Sequence, residues 1–375
     1  MGTARRPYAS RTGSRFLCRE FEPGRRFQGH LGSGEQEIMI SRVAESAFWL
    51  ARYMERVEDM ARMLYVNINF VLDVNLEGVP RWWPLVLAVG AEKEYRARTA
   101  EASIDDGEVV QQFLCWDRDH PGSIASALER ARENARTIRE TISLEMWETL
   151  NGLSLWFNSP DGRRRYQRER FEFYQHLRDQ CVLFQGFALD TMLQSEAYHF
   201  MRLGTSLERA GQTARILDMK FHALGHTGRS VEWPREIAQW QAILRSCSAI
   251  EPYFKVAQGE LSGQQVAEFL LFEKDFPHSV MRSVDQARKF LQLVRPRGKG
   301  AKAEHSIQAL TTLRDQLDKM SMDEIMQVGL HKTLKWIVDS VADVCGAVEQ
   351  EYFLAPTQVR RHRAAPWRHL AAKTV

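Results

Sequence analysis

A block that occurs twice in the sequence constrains the fold of this chain more than any other feature. The dipeptide Glu55-Arg56 recurs 153 residues later as Glu208-Arg209, and the residues around it recur with it. Similarity at a fixed offset indicates that one structural unit is present in two copies. The two blocks read WLARYMER at residues 49–56 and RLGTSLER at residues 202–209, and they continue as ARML at 61–64 and ARIL at 214–217.

A second pair of blocks follows in the same order at nearly the same offset, 156 residues. Residues 113–124 align with residues 269–280, so that Asp117-Arg118-Asp119 corresponds to Glu273-Lys274-Asp275. Between the two blocks, Trp83 through Tyr95 aligns loosely with Trp240 through Tyr253. Because both blocks keep their order and spacing, we predict an internal duplication.

Apolar periodicity predicts helices throughout. From Ser41 to Asp73 the sequence has no Pro or Gly, and apolar residues recur every three or four positions, with Ser41 as the expected N-cap. No window alternates with enrichment in β-branched residues, as a strand would. The prediction is an all-α, internally duplicated helical bundle of about 11–12 helices without a sheet. The predicted helices are 41–73, 81–92, 106–116, 121–142, 144–157, 163–193, 195–222, 233–257, 261–272, 278–293, 303–319 and 322–354.

The repeat also sets the expected domain organisation. Residues 1–38 lack any period and are expected to be a disordered extension, with Met39 preferred as the start of the protein. Residues 39–193 form the first helical repeat with a connecting helix, and residues 194–354 form the second. Residues 355–375 are expected to be a basic, disordered tail.

Composition excludes several classes of function. A net charge of +3 over 375 residues is too small to indicate a specific nucleic-acid-binding protein. The longest apolar run, around residues 82–90, is much shorter than the roughly 20 residues that span a bilayer, so no membrane association is expected. The five cysteines are scattered without a Cys-x-x-Cys pair, which favours a reducing cytoplasm over a disulfide framework or a zinc site.

The charged residues around the repeated dipeptide share one face of the first long helix. Arg52, Glu55, Arg56, Asp59 and Arg62 are three, four or seven positions apart, and Glu208, Arg209 and Arg215 repeat part of the set. One interpretation is a buried structural network, and the other is a site in which arginines bind a carboxylate or phosphate. Adjacent residues point about 100° apart, so a Glu-Arg dipeptide pairs poorly with itself. We therefore expect Glu55 to meet Arg209, and Glu208 to meet Arg56.

Further candidates come from the second block. Pro121 suits the first turn of a helix, and Asp119 is placed to cap its free amides. Capping does not explain why Asp117-Arg118 recurs as Glu273-Lys274. The candidate set for binding or for a structural network is Arg52, Glu55, Arg56, Arg62, Asp117, Arg118, Asp119, Asn134, Arg136, Arg139, Glu208, Arg209 and Arg215.

No motif identifies a metal, a cofactor or catalytic residues. Glu196 and His199 form one Glu-x-x-His, but a di-iron bundle needs two such motifs and two further glutamates. The sequence has no Gly-x-Ser-x-Gly, no Gly-rich phosphate loop and no cysteine beside a suitable histidine. We expect no metal site and no cofactor, and the catalytic residues, if any, are unknown.

Several blocks of the sequence together resemble a known family. Residues 39–45 running into 49–56, residues 113–124, and residues 131–136 with Arg139 look like the alpha-E domain family, all-helical bacterial proteins named for a Glu-Arg motif. The resemblance extends from Met39 to about Phe353. It departs at Thr205, where an Arg is usual, and at Gly211, where an acidic residue is usual. Such proteins resemble components of gene clusters that also encode an ATP-grasp-type ligase and a transglutaminase-like peptidase.

The sequence leaves two functional hypotheses open. The first is a non-enzymatic helical partner of an ATP-grasp-type amide ligase or transglutaminase-like peptidase, which the resemblance implies. The second is an enzyme or small-molecule binder with a site rich in Arg, Glu and Asp between the repeats. We favour the partner, and hence a protein that is not an enzyme. The two differ in whether the candidate residues converge on one cavity.

Overall fold

A computed structural model of the chain describes residues 33–73, 80–224, 233–257, 261–294 and 304–353. These ranges contain sixteen α-helices and no strand, which confirms the all-α prediction. The helices are α1 (Ser33–Asp73), α2 (Trp83–Ala88), α3 (Glu92–Arg96), α4 (Gly107–Gln111), α5 (Ile124–Thr137), α6 (Leu144–Phe157), α7 (Pro160–Arg168), α8 (Arg170–Thr191), α9 (Glu196–Leu224), α10 (Trp233–Ser246), α11 (Ile250–Val256), α12 (Gly263–Phe272), α13 (Val280–Leu293), α14 (Glu304–Lys319), α15 (Met322–Val328) and α16 (Leu330–Val348).

The two long helices α1 and α9 pack against each other at the centre. Helix α1 also packs against α5 and α8, and α9 packs against α13 and α16. On each side a further helix completes the layer, α6 beside α8 and α14 between α13 and α16. The buried apolar residues of all these helices form one continuous core. The central helices therefore carry the side chains that every other layer surrounds.

Helices α1 and α9 run in the same direction and approach closely at Gly204. Gly204 lies beside Phe48, and further along both helices Arg209 lies beside Glu55. A Cβ atom placed on Gly204 would lie 2.4 Å from the main-chain oxygen of Phe48. Glycine is thus needed there for close approach of the backbones rather than for a special backbone angle.

Equivalent positions of the sequence repeat make equivalent local contacts. Ser123 caps α5 and Ser279 caps α13, and each hydroxyl also donates a hydrogen bond to the main-chain oxygen six residues earlier. Gly107 and Gly263 each lie against a tryptophan ring, that of Trp82 and that of Trp240 respectively, so the counterpart of Trp240 is Trp82 and not Trp83 as the alignment predicted. These contacts agree with the predicted duplication at particular positions, and the duplication of the whole unit stays a prediction.

Several predicted helix starts are wrong, and the largest errors are at α1, α5 and α7, of which α7 begins at Pro160 and not at 163. Helix α1 begins at Ser33 rather than at Ser41, and so includes the last residues of the expected extension. The Ser41 hydroxyl does not cap the helix because it donates to the main-chain oxygens of Tyr352 and Phe353, at 3.1 and 2.8 Å. Helix α5 begins at Ile124 rather than at the predicted 121, because Ser123 provides the cap.

The described residues contain more helices than the expected 11–12 because several predicted helices are interrupted. Gly90 separates α2 from α3 at φ 71°, and Gly329 separates α15 from α16 at φ 105°. Ser248 adopts φ 53° between α10 and α11. Glu169, with φ −135° and ψ 62°, separates α7 from α8. Positive φ values end a helix and are not visible in a hydrophobic period.

Some predictions fall outside the described residues. Nearly all of the expected extension, residues 1–32, and the expected basic tail, residues 355–375, belong to this group. The structure therefore does not test them.

The contact at Gly204 leads to a first prediction. Gly204→Ala should lower the free energy of unfolding by about 1–3 kcal/mol, because its methyl group meets fixed backbone of α1 rather than a movable side chain. Gly152→Ala in α6 is the matched control, since nothing lies within 4 Å of a Cβ there. That control should stabilise the protein by about 0.5–1 kcal/mol. Urea unfolding of both variants measures these free energies. An unchanged free energy of unfolding for Gly204→Ala would contradict the prediction.

Candidate functional site

Two Glu-Arg pairs cross between the central helices. Arg209 of α9 donates from Nε to Glu55 Oε1 at 2.6 Å and from Nη2 to Glu55 Oε2 at 2.9 Å. In the opposite sense, Arg56 of α1 donates from Nε to Glu208 Oε1 at 2.8 Å. Glu55 is completely buried, and Glu208 nearly so. The structure thus confirms the reciprocal arrangement expected from the adjacent Glu and Arg of each block.

Glu208 receives a second arginine. Arg52 donates from Nε to Glu208 Oε2 at 2.8 Å, so that both carboxylate oxygens accept charged hydrogen bonds. Burial alone would raise the pKa of Glu208, but the charges of Arg56 and Arg52 outweigh it and hold this pKa well below its usual range. Glu208 is therefore ionised at neutral pH. It acts as the anionic centre to which two arginines of α1 bind.

Arg62 lies at the other end of the network, among acids. It donates to Glu58 at 2.7 Å, to the main-chain oxygen of Ser246 at 2.8 Å, and to Asp59. Gln185 of α8 donates from Nε2 to both Glu55 and Glu58, at 2.9 and 2.8 Å. Helix α8 is thereby joined to the pairs between α1 and α9.

This acid-rich end carries more buried carboxylates than arginines. Burial raises the pKa of Asp59 well above its usual value, although Arg62 opposes the shift. The pKa of Glu58 is raised for the same reason and is likewise opposed by Arg62. Asp59 Oδ2 is buried and accepts no hydrogen bond from any residue that the structure describes.

Arg215 marks the opposite, arginine-rich end. It corresponds to Arg62 in the repeat, but the positions three and four residues before it hold Gln212 and Gly211 instead of Asp59 and Glu58. Within the described ranges Arg215 consequently makes no ion pair, and Glu208 and Asp339 attract it only at longer range. Burial lowers the pKa of Arg215. Arg52, Arg56 and Arg215 thus share Glu208 as their nearest acid.

The remaining sequence candidates do not join this cluster. Arg118 is exposed and binds Glu129 and Asn158, and Arg136 is exposed and binds Glu133. The Arg139 guanidinium lies 5.6 Å from the ring centroid of Trp147. Asn134 is half-buried in the last turn of α5. Seven of the thirteen candidates form the central network, and the other six lie around the second block and α5.

Asp117, rather than Asp119, has the structural role at the second block. Asp117 Oδ1 accepts the amide of Asp119 at 2.8 Å, and Glu273 accepts the amide of Asp275 at 3.0 Å in the same way. The predicted cap at Asp119 is wrong because Ser123 occupies that position. The recurrence of an acid at 117 and 273 is explained by this turn.

Sequence reasoning missed four residues of the network as site candidates. Glu58 is one turn before Arg62, so helical spacing could have identified it. Asp59 lies on the charged face but was not selected. Gln185 and His278 are distant in sequence and stand in no recurring motif. Only the packing of α8 and of the turn before α13 brings them to α1.

Other features limit the chemistry of the described residues. Cys115, Cys181, Cys247 and Cys345 are all buried, and burial raises the pKa of each thiol. A thiol with a raised pKa is a poor nucleophile at neutral pH.

None of the helices in the described ranges is long and apolar enough to cross a membrane.

Comparison with known proteins places the chain in a family. Residues 39–353 match the model of the Alpha-E family, described as a predicted alpha-helical domain with a conserved ER motif, and the chain belongs to this family. Both Glu-Arg dipeptides lie in the matched range.

Relatives of the chain are known from mycobacteria. Uncharacterised proteins of Mycobacterium bovis and Mycobacterium tuberculosis are 24% identical over 347 residues, which is 85% of this chain. The match spans only 38% of the length of each relative. No solved structure matches the chain significantly.

The crossed pairs lead to a second prediction. Glu55→Ala or Arg209→Ala should each lower the free energy of unfolding by about 3–5 kcal/mol, because each leaves a buried charge without its partner. The double variant should lose much less than the sum of the two. Urea unfolding of the four proteins gives the coupling.

The control for this cycle is an exposed pair. Glu92 and Arg96 of α3 are joined at 3.2 Å on the surface and should show little coupling. Additive losses at Glu55 and Arg209 would show that the pair has no cooperative role.

Proposed function

We propose that this protein is a non-enzymatic helical partner that binds another protein through the exposed face of α8. The observation that carries the proposal is an apolar stripe on this helix. Val182 and Leu189, seven residues apart, share one helix face and are 51% and 53% exposed. Leu193, just beyond the helix, continues the stripe at 86% exposure. Exposed apolar side chains grouped on one helix face are typical of protein interaction sites.

The central network supports this proposal indirectly. Both Glu-Arg pairs are used to join α1 to α9, and Glu55 and Glu208 each bind arginine through both carboxylate oxygens. A carboxylate held in this way is a poor general base, because a proton must displace an arginine. The Glu-Arg motif therefore acts as a structural element in this proposal, and the surface carries the function.

The mycobacterial relatives also support a partner role. Most of each relative lies outside the segment that matches this chain. In those proteins the matching segment is part of a longer chain, and covalent attachment is one way of keeping two cooperating units together. We further propose, from the family resemblance, that the partner is an ATP-grasp-type ligase or transglutaminase-like peptidase, and that the protein acts in the cytoplasm.

A binding measurement tests the partner proposal. The chain is titrated by calorimetry with the purified ATP-grasp-type ligase and, separately, with the transglutaminase-like peptidase of the same organism. A double variant, Val182→Glu with Leu189→Glu, should weaken binding at least about tenfold, because it places two charges in a desolvated interface.

Met326→Glu on α15 is the matched control for this experiment. Met326 is 53% exposed, as Leu189 is, but it lies on a different helix. This control should bind as the original chain does. Failure of both enzymes to bind, or unchanged binding by the α8 variant, would contradict the proposal.

A second function is favoured by the arginine-rich end of the network. Arg52 and Arg56 both bind Glu208, and Arg215 lies near the same carboxylate, with Asp339 as a further acid at longer range, so three arginines here face two carboxylates. We propose as the alternative that this end binds a small ligand with a carboxylate or phosphate group. Arg215 would be the main anchor, since it makes no ion pair within the described residues.

Thermal unfolding with inorganic phosphate and with citrate tests this alternative. Binding to the folded state should raise Tm in a concentration-dependent way. Arg215→Gln should abolish the rise. Arg132→Gln should keep it, because Arg132 is half-buried against Asn151 outside the network. Equal shifts in both variants would assign the effect to general ionic strength.

A further inference from the structure

Three potential metal ligands converge at the acid-rich end of the network. Glu55 and Asp59 of α1 and His278, in the turn before α13, each offer one ligand atom, and these atoms lie within 4.8 Å of one another. Glu55 and Asp59 are buried, and His278 is half-buried. These residues are different from Glu196 and His199, which form the Glu-x-x-His motif of the sequence. The sequence alone predicts no metal site.

Asp59 offers an oxygen without a hydrogen bond in the described part of the chain, whereas both oxygens of Glu55 accept hydrogen bonds from Arg209, so a metal ion would use a remaining lone pair of Glu55. Asp59 Oδ2 is buried without a hydrogen-bond donor among the described residues, which is costly for a carboxylate unless a cation or proton lies there. His278 offers a ring nitrogen, which is a common metal ligand in proteins.

The surrounding residues orient the ligands in the way that metal sites require. Arg209 holds Glu55, and Arg62 holds Asp59 Oδ1, so that both carboxylates have fixed directions. The main-chain oxygen of His278 accepts a hydrogen bond from Thr213 Oγ1 of α9 at 2.7 Å, which fixes the turn against the central helices. Ligand atoms about 2.0–2.2 Å from a zinc ion lie roughly 3–3.5 Å apart, a separation that small side-chain rotations reach.

The sequence repeat gives an independent argument. Its other copy has Glu208 opposite Glu55, but Gln212 opposite Asp59 and Gly122 opposite His278. Gln212 donates to Glu208 at 3.2 Å, which satisfies a buried carboxylate without adding charge. The second acid is therefore present in only one copy, whereas an imidazole is present in both, since the ring of His120 lies beside Gly122 and near Arg56. A purely structural role does not require this difference.

We propose that Glu55, Asp59 and His278 bind one divalent first-row transition metal ion, with open coordination positions for water or a ligand. One imidazole with two carboxylates suits Zn²⁺, Mn²⁺ or Fe²⁺ better than Ca²⁺, which prefers oxygen ligands alone. This site is independent of the proposed surface on α8. It lies in the same network as the arginine-rich end but uses different residues.

Cobalt binding to the full-length chain tests the proposal, since Co²⁺ reports its ligands through visible absorption. The protein is stripped with a chelator and titrated with Co²⁺, and then with Zn²⁺ in competition. We expect one ion per chain with ligand-field bands that Zn²⁺ abolishes. His278→Gln and Asp59→Asn should each weaken binding by at least about tenfold. His199→Gln, a half-exposed histidine elsewhere on α9, should bind as the original chain does.

Three outcomes would overturn the metal site. The first is absence of Co²⁺ binding to the original chain with excess metal present. The second is binding that persists in both His278→Gln and Asp59→Asn, which would place the ion elsewhere. The third is that, without metal, Asp59→Asn is more stable than the original chain. That result would show that the Asp59 carboxyl group is protonated in the original chain. Circular dichroism confirms folding, and Asp59→Asn keeps the test valid if the histidine variant unfolds, because Gln212 occupies the equivalent position in folded protein.

Discussion

The crossed ion pairs between α1 and α9 are the interaction on which the rest of the structure depends. Each central helix supplies a glutamate that accepts hydrogen bonds from an arginine of the other, so Glu55 and Glu208 are neutralised across the helix pair and not within their own helices. An unpaired charge at this depth is prohibitively costly, and the two helices must therefore meet in one register. Gly204 permits the approach by leaving room for the main chain of Phe48. The outer helices then pack on a pair whose alignment is already determined.

The two ends of this network differ in charge, and the difference arises from two substitutions within the repeat. Arg62 has Glu58 and Asp59 in the preceding turn, whereas Arg215 has Gly211 and Gln212. As a result, carboxylates exceed arginines at one end, and arginines exceed carboxylates at the other. A network that served only to join two helices would have no need for opposite excesses. The proposed anion site and the proposed metal site lie at these ends and not at the crossed pairs between them.

The separation of structural and functional residues also explains why the Glu-Arg motif does not identify an activity. A motif residue held by bidentate hydrogen bonds contributes to folding, and its removal would affect any function through loss of stability. The exposed stripe on α8 has no such role in folding, because the side chains of Val182 and Leu189 are exposed to solvent. Gln185 connects the two regions, since it lies on α8 and binds Glu55 and Glu58.

The sequence by itself determined the all-α class, most helix positions and the pairing of Glu55 with Arg209, because apolar period and the geometry of adjacent residues are local properties. It did not locate the breaks at Gly90, Ser248 and Gly329, where positive φ values interrupt a helix without changing the period. It also assigned Arg118 and Arg136 to the same set as Arg52, although they lie on the surface. Only the tertiary structure brought His278 and Gln185 to α1, because contacts across more than a hundred residues depend on how whole helices pack.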